Sequence, residues 1–158
     1  MLGGLHDQGT ELADRALRLQ PNSAVVRTGC GWSLIFGGEP ERAQEHFEVA
    51  RRLSPLDPRA FMTQTAMASA NFFQRRFGDT LECATRVLQQ RLTWAPALRY
   101  RAAALAHLGR LDEARADVAQ LLVAQPSCNL HWLTVYRFRH RWMHELFSDG
   151  LRKAGLPE

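Results

Sequence analysis

Apolar residues along this chain return every three or four positions, the spacing of one face of an α-helix, and nowhere alternate with a strand's period of two. Helices are predicted over about 9–19, 23–36, 40–53, 59–73, 79–90, 97–108 and 111–124, with two more helical segments between 127 and 158. The breaks between them are those that stop helices: Pro21-Asn22, Gly37-Gly38, the run Ser54-Pro55-Leu56-Asp57-Pro58, Thr93 to Pro96, and Gly109-Arg110. Ser23 reads as a helix cap. Pro40 falls in the first turn of its helix, where a missing N–H costs nothing.

One phrase recurs within this pattern. Its clearest copy runs Ala102, Leu105, Gly109, Leu111, Ala114, Val118, Leu121 and Pro126, and an earlier one runs Gly31, Leu34, Gly38, Ala43, Phe47, Ala50 and Pro55. A degenerate middle copy aligns Arg75 with the turn glycine, Ala68 and Thr80 with the small positions, Phe77 with the turn aromatic and Leu92 with the proline. The middle copy follows the first by 37 residues and precedes the last by 34, so the extra residues are expected around 55–58. Such a period predicts an all-α superhelix of stacked helical hairpins, an architecture used for binding more than for chemistry.

The phrase resembles the tetratricopeptide repeat (TPR), a helix–turn–helix unit of about 34 residues. The resemblance implies a right-handed α-α solenoid of antiparallel helix pairs in a single domain over 1–158. It divides into a half repeat at 5–21, repeats at about 22–55, 58–92 and 95–126, and C-terminal capping helices at 127–158. Gly31 and Ala102 would let paired helices approach closely, and Gly38 and Gly109 would make the turns. Inner-surface positions carried over from the family are Val25, Thr28, Trp32, Ile35 and Phe36, then Met62, Thr65, Ser69, Phe72 and Phe73, then Arg99, Ala103, Ala106 and His107. They imply a groove with aromatic anchors that docks a protein or peptide. The peptide-carboxylate clamp of some relatives needs lysine and asparagine where this chain has Thr28, Trp32, Ala66, Pro96 and Tyr100, which argues against that mode.

A narrower similarity joins Leu53-Ser54-Pro55-Leu56-Asp57-Pro58, Phe72-Phe73, the stretch Ala104 to Ala114 and the final Gly150-Leu151-Arg152-Lys153-Ala154-Gly155-Leu156-Pro157-Glu158. This arrangement is similar to the C-terminal repeat region of bacterial class III adenylate cyclase-like proteins and related winged-helix regulators. It implies an accessory, regulatory role and no cyclase activity, because the sequence has no cyclase domain.

Composition narrows the remaining possibilities. With 158 residues, 46% hydrophobic and 23% charged, the chain suits one folded domain. No apolar run approaches the roughly 20 residues of a membrane span, and the opening Met1-Leu2-Gly3-Gly4-Leu5 lacks a basic start, so a cytoplasmic location is expected. Cys30, Cys83 and Cys128 are dispersed, which argues against a disulfide framework or zinc site; Cys30 and Cys83 suit core packing. The net charge is +4 and Lys153 is the only lysine. Interspersed acids make this a mixed-charge surface, and nucleic acid is a disfavoured partner.

The basic-aromatic stretch from His131 to Trp142 has two readings. One is an anionic-surface or nucleic-acid patch; the other is a cap with Trp132, Tyr136 and Met143 buried and arginines outward. His140 and His144 stand four apart but lack the third and fourth ligands that a metal needs. There is no phosphate loop, no His-Glu-x-x-His and no nucleophile elbow, so no enzyme activity, metal or cofactor is expected. The alternatives to partner docking are a homo-oligomerisation scaffold, through the half repeat at the N-terminus, and a nucleic-acid-associated regulator using the Arg-rich C-terminal segment.

Overall fold

The computed structural model describes residues 3–158; Met1 and Leu2 of the opening segment lie outside the described residues. The chain runs α1 (Gly3–Leu19), α2 (Ala24–Gly37), α3 (Pro40–Leu53), α4 (Ala60–Phe73), α5 (Phe77–Gln90), α6 (Ala95–His107), α7 (Leu111–Ala124), a 3₁₀ turn (His131–Val135) and α8 (Arg141–Lys153). Helices α2/α3, α4/α5 and α6/α7 pack as antiparallel hairpins, and α1 packs on α2. Helices α2, α4 and α6 touch in succession and make the inner layer, with α3, α5 and α7 outside. No strand occurs among the described residues.

Local chemistry explains where the helices start and stop. Ser23 accepts a hydrogen bond from the Val26 N–H and caps α2. Pro40 opens α3. Three hairpins turn through one device: Gly38, Arg75 and Gly109 all have left-handed backbones, at φ +86°, +58° and +76°. In each, the left-handed residue donates to the carbonyl three back and the next residue to the carbonyl five back, as with Gly38 to Ile35 and Glu39 to Leu34. This Schellman pairing satisfies carbonyls that the helix end leaves open. Gly155 (φ +89°) closes α8 with the same pair of bonds.

The irregular spacing of the middle copy also has a structural location. Six residues connect α3 to α4, whereas four connect α5 to α6. That accounts for two of the three extra positions; the third lengthens the stretch from the start of α4 to its left-handed turn.

Close packing needs the small positions. A Cβ on Gly31 would clash with the ring edge of the fully buried Phe47, so α2 and α3 meet at this separation only with glycine there. Thr80, at the degenerate small position, is fully buried and returns its hydroxyl to the Arg76 carbonyl at 3.0 Å. Asp117, also buried, takes two bonds from Arg101, at 2.6 and 2.7 Å, across the α6/α7 hairpin. All three cysteines are buried and free.

The C-terminal segment departs from expectation. A single α-helix follows the 3₁₀ turn, and it packs chiefly on α6, from the inner side, instead of covering the outer end of the last hairpin. Val123 of α7 therefore stays 81% exposed. Met143 is fully buried as expected, while Trp132 and Tyr136 are half-buried.

A left-handed conformation costs a side-chain-bearing residue roughly 1–2 kcal/mol. Arg75 is exposed and tied to no ion pair among the described residues. Replacing Arg75→Gly is expected to stabilise the chain by about 1 kcal/mol, after the extra chain entropy of glycine is subtracted. Urea denaturation checks this; an unchanged or lowered midpoint would count against the strained turn.

Candidate partner groove

The inner layer begins with three open side chains. Val25 and Met62 are 57% and 46% exposed, and Trp32 is half-buried between them and Phe36. Trp32 stacks on Phe36 with centroids 6.1 Å apart and meets the edge of Phe47 at 6.2 Å. Trp32 and Met62 are shared by two adjoining apolar cavities, which together form a trough. One, of about 240 Å³, lies between α2 and the start of α4, with Thr28, Thr63 and Asp57 in its wall. The other, of about 230 Å³, is lined by Phe36, Thr65, Trp94, Pro96, Tyr100 and Tyr136.

Polar groups along the trough are already engaged with one another. Thr28 Oγ1 and Thr63 Oγ1 are 3.1 Å apart, joining α2 to α4. Thr65 donates to the Phe61 carbonyl at 2.7 Å and accepts from Trp94 Nε1 at 3.1 Å. Ser69 donates to the Tyr100 hydroxyl at 3.0 Å. Burial pushes the Tyr100 phenol far above its ordinary range, with the neighbouring Tyr136 adding to the shift and the Ser69 bond opposing it. Burial also raises Tyr136, against the pull of Arg99. Both rings are therefore neutral walls at physiological pH.

The remaining inner positions do not face solvent. Ile35, Ser69, Phe72, Phe73, Arg99 and Ala103 are all buried, which corrects the expectation that they line an open groove, and Thr65 reaches the trough only as a buried part of its wall. The reason is the C-terminal segment. Phe147 of α8 stacks on Tyr100 at 4.8 Å and meets Phe72 at 5.6 Å. Phe138 meets Phe73 at 4.9 Å and stacks on Phe36 at 5.5 Å. Arg99 lies under Trp132 at 4.8 Å and donates to Gln125 at 2.7 Å. The half-buried His107 stacks on Phe77 at 4.9 Å and meets the Leu146 carbonyl at 2.9 Å. Between the 3₁₀ turn and α8, Tyr136 and Phe138 face the groove, while Arg137 and Arg139 face water.

The structure thus brings Val25, Thr28, Trp32, Phe36, Met62 and Thr65 together, and seals Ser69, Phe72, Phe73, Arg99, Ala103 and His107 under the chain's own C-terminus. Sequence reasoning missed Trp94 and Tyr136 as walls. Trp94, an aromatic residue inside a helix break, was a signal that could have marked the first. His140 has its ring against Gly38. Among the described residues no group of three or more His, Cys, Asp and Glu is placed to hold a metal.

Solved structures share this fold. PilW, a widely conserved type IV pilus biogenesis factor, matches at TM-score 0.70 and 19% identity, over 94% of this chain and 65% of that one. MamA matches at TM-score 0.66 and 16% identity, over 96% of this chain and 87% of that one. YrrB, a TPR protein with an unusual peptide-binding site, matches at TM-score 0.61 and 18% identity, over 96% of this chain and 77% of that one. The fold is a TPR-like helical solenoid. The chain spans less than two thirds of the length of PilW. No protein-family profile matches the sequence, and no curated protein matches it. The likeness is one of fold, carried by the spacing of helices and turns.

The seating of α8 has a checkable weak point. A Cβ on Gly150 would stand 2.9 Å from the Ala103 carbonyl oxygen and from His107 Nε2. Gly150→Leu is expected to overpack this contact and cost about 1–3 kcal/mol in urea unfolding. A change below about 0.5 kcal/mol, within the usual range for a surface site, would mean that α8 is not held against α6.

Proposed function

We propose that this chain is a non-catalytic interaction module that docks a segment of a protein partner in the trough between Trp32, Met62, Trp94 and Tyr136. The observation carrying this reading is an apolar, aromatic-walled trough on the inner face, left open where the rest of that face is covered. Its polar atoms are engaged internally, so burial of apolar partner groups supplies the affinity. Aromatic side chains of this kind dominate binding hot spots. The peptide-binding site of YrrB, on a similar fold, supports the same use here. The C-terminal phrase from Gly150 to Glu158 supports an accessory role beside a cytoplasmic regulator of the cyclase-like or winged-helix kind.

Trp32→Ala together with Met62→Glu is expected to abolish partner recovery, or weaken it by at least 2 kcal/mol, with unchanged helical circular dichroism. Undiminished recovery by the folded variant would remove the trough from consideration.

A second reading rests on α1. None of its described side chains is buried; Leu12 and Leu19 are 65% and 75% exposed, beside a cavity shared with α2. An uncovered helix of this kind suits self-association. Light scattering should then show a concentration-dependent rise in mass that Leu12→Glu suppresses. A constant monomer mass at high concentration would dismiss self-association.

A further inference from the structure

Charge is segregated between the two layers of this molecule. Helices α2, α4 and α6 contain no aspartate or glutamate, and none occurs between Val118 and His144. Apart from Asp57 and Arg59 of the α3–α4 connection, the surface facing the trough is therefore built from elements whose only charged residues are basic: Arg27, Arg99 and Arg101 on the helices, then Arg137, Arg139 and Arg141. The acids sit on α1, α3, α5, α7 and α8, at Glu39 in the α2–α3 turn, in the α3–α4 connection and at the C-terminus.

Several of these cations have internal partners. Arg101 pairs with Asp117, Arg139 with Asp7 at 2.7 Å, and Arg141 with Glu145 at 2.6 Å. Asp57 is the one carboxylate in the trough wall. It accepts from the Arg59 N–H at 2.8 Å, which holds its carboxyl below the ordinary range, and it pairs with the Arg59 side chain.

Two arginines beside the Trp94–Tyr136 end, Arg91 and Arg99, and the water-facing Arg137 next to Tyr136 in sequence have no carboxylate partner among the described residues. Arg91 lies 3.9 Å over Phe61, whose ring meets Trp94 at 5.0 Å. Arg137 follows Tyr136 and is exposed. Arg99 is buried, 5.9 Å under Tyr136, and its Nε has no hydrogen-bond partner. A buried guanidinium without an acid is costly. Its field adds to that of its neighbours in a low-dielectric cleft.

We propose that the partner is an acidic protein segment, which seats an aromatic or aliphatic anchor in the trough and carries Asp or Glu on either side of it. This rests on the groove reading above and adds the partner's chemistry to it. The two small cavities suit side chains, and the cations are three scattered groups around an apolar slot. Nucleic acid needs a longer track of phosphate contacts than that.

A random dodecapeptide phage library, panned on the full chain and counter-selected on the Trp32→Ala variant, tests the proposal. Selected peptides are expected to carry Trp, Phe or Leu flanked by Asp and Glu. As labelled synthetic peptides they should bind about tenfold more weakly to Arg137→Glu, and more weakly as salt rises. A neutral or basic consensus, or affinity indifferent to Arg137→Glu, would overturn the charge assignment while leaving the groove standing. Recovery of no Trp32-dependent peptide would overturn both. A labelled dT15 oligonucleotide that binds more tightly than the peptides and displaces them would overturn the proposal in favour of nucleic acid.

Discussion

The contact on which the rest of this molecule depends is the seating of Phe147 between Phe72 and Tyr100. Aromatic pairs in such arrangements contribute about 0.5–1.5 kcal/mol each beyond the area they bury, and Phe72 takes part in five of them. With α8 absent from this position, Phe72, Phe73 and Tyr100 would stand in water along the inner face of two hairpins. The C-terminal segment therefore does more than finish the chain. It decides how much of a repeat-type inner surface is left for anything else.

What is left has an uncommon balance of forces. The threonines and Ser69, which could have read a partner's backbone, bind across to neighbouring inner helices instead. That stitches α2, α4 and α6 together and leaves apolar surface facing outward. Recognition there has to come from shape and from desolvated rings, with direction supplied by the surrounding arginines. Division of labour of this kind separates affinity, which the rings carry, from orientation and encounter rate, which the field carries.

Much of the architecture was legible in the sequence because its determinants are local. Gly38 and Gly109 announce their turns, and the repeat spacing alone pointed to Arg75 as their equivalent, a residue that composition would never have nominated for a left-handed turn. The cap at Ser23 and the stop at Leu53 follow from chemistry within a few residues. The path of residues 127–153 was not legible. Tyr136, Phe138 and Phe147 read equally well as the face of a terminal cap, and nothing local says which apolar surface they meet. The same gap hid the site: Phe72 and Phe73 occupy inner positions by repeat arithmetic, but whether they face solvent is set by residues more than sixty positions away. A tryptophan in a connection, such as Trp94, looks like punctuation, and its role appears only through its bond to Thr65.

The stretch between the 3₁₀ turn and α8 has one further consequence, for how the protein comes apart. Arg139 donates its backbone N–H to the Phe36 carbonyl at 2.8 Å and its side chain reaches Asp7 of α1. An open solenoid behaves as a one-dimensional stack, in which terminal units fray and local stabilities nearly add. Here the C-terminal segment touches the first two helices, by a backbone bond to α2 and an exposed ion pair to α1, so the two ends are joined across the array. Contacts of such long sequence separation slow folding. They also tie local opening at one end to opening at the other.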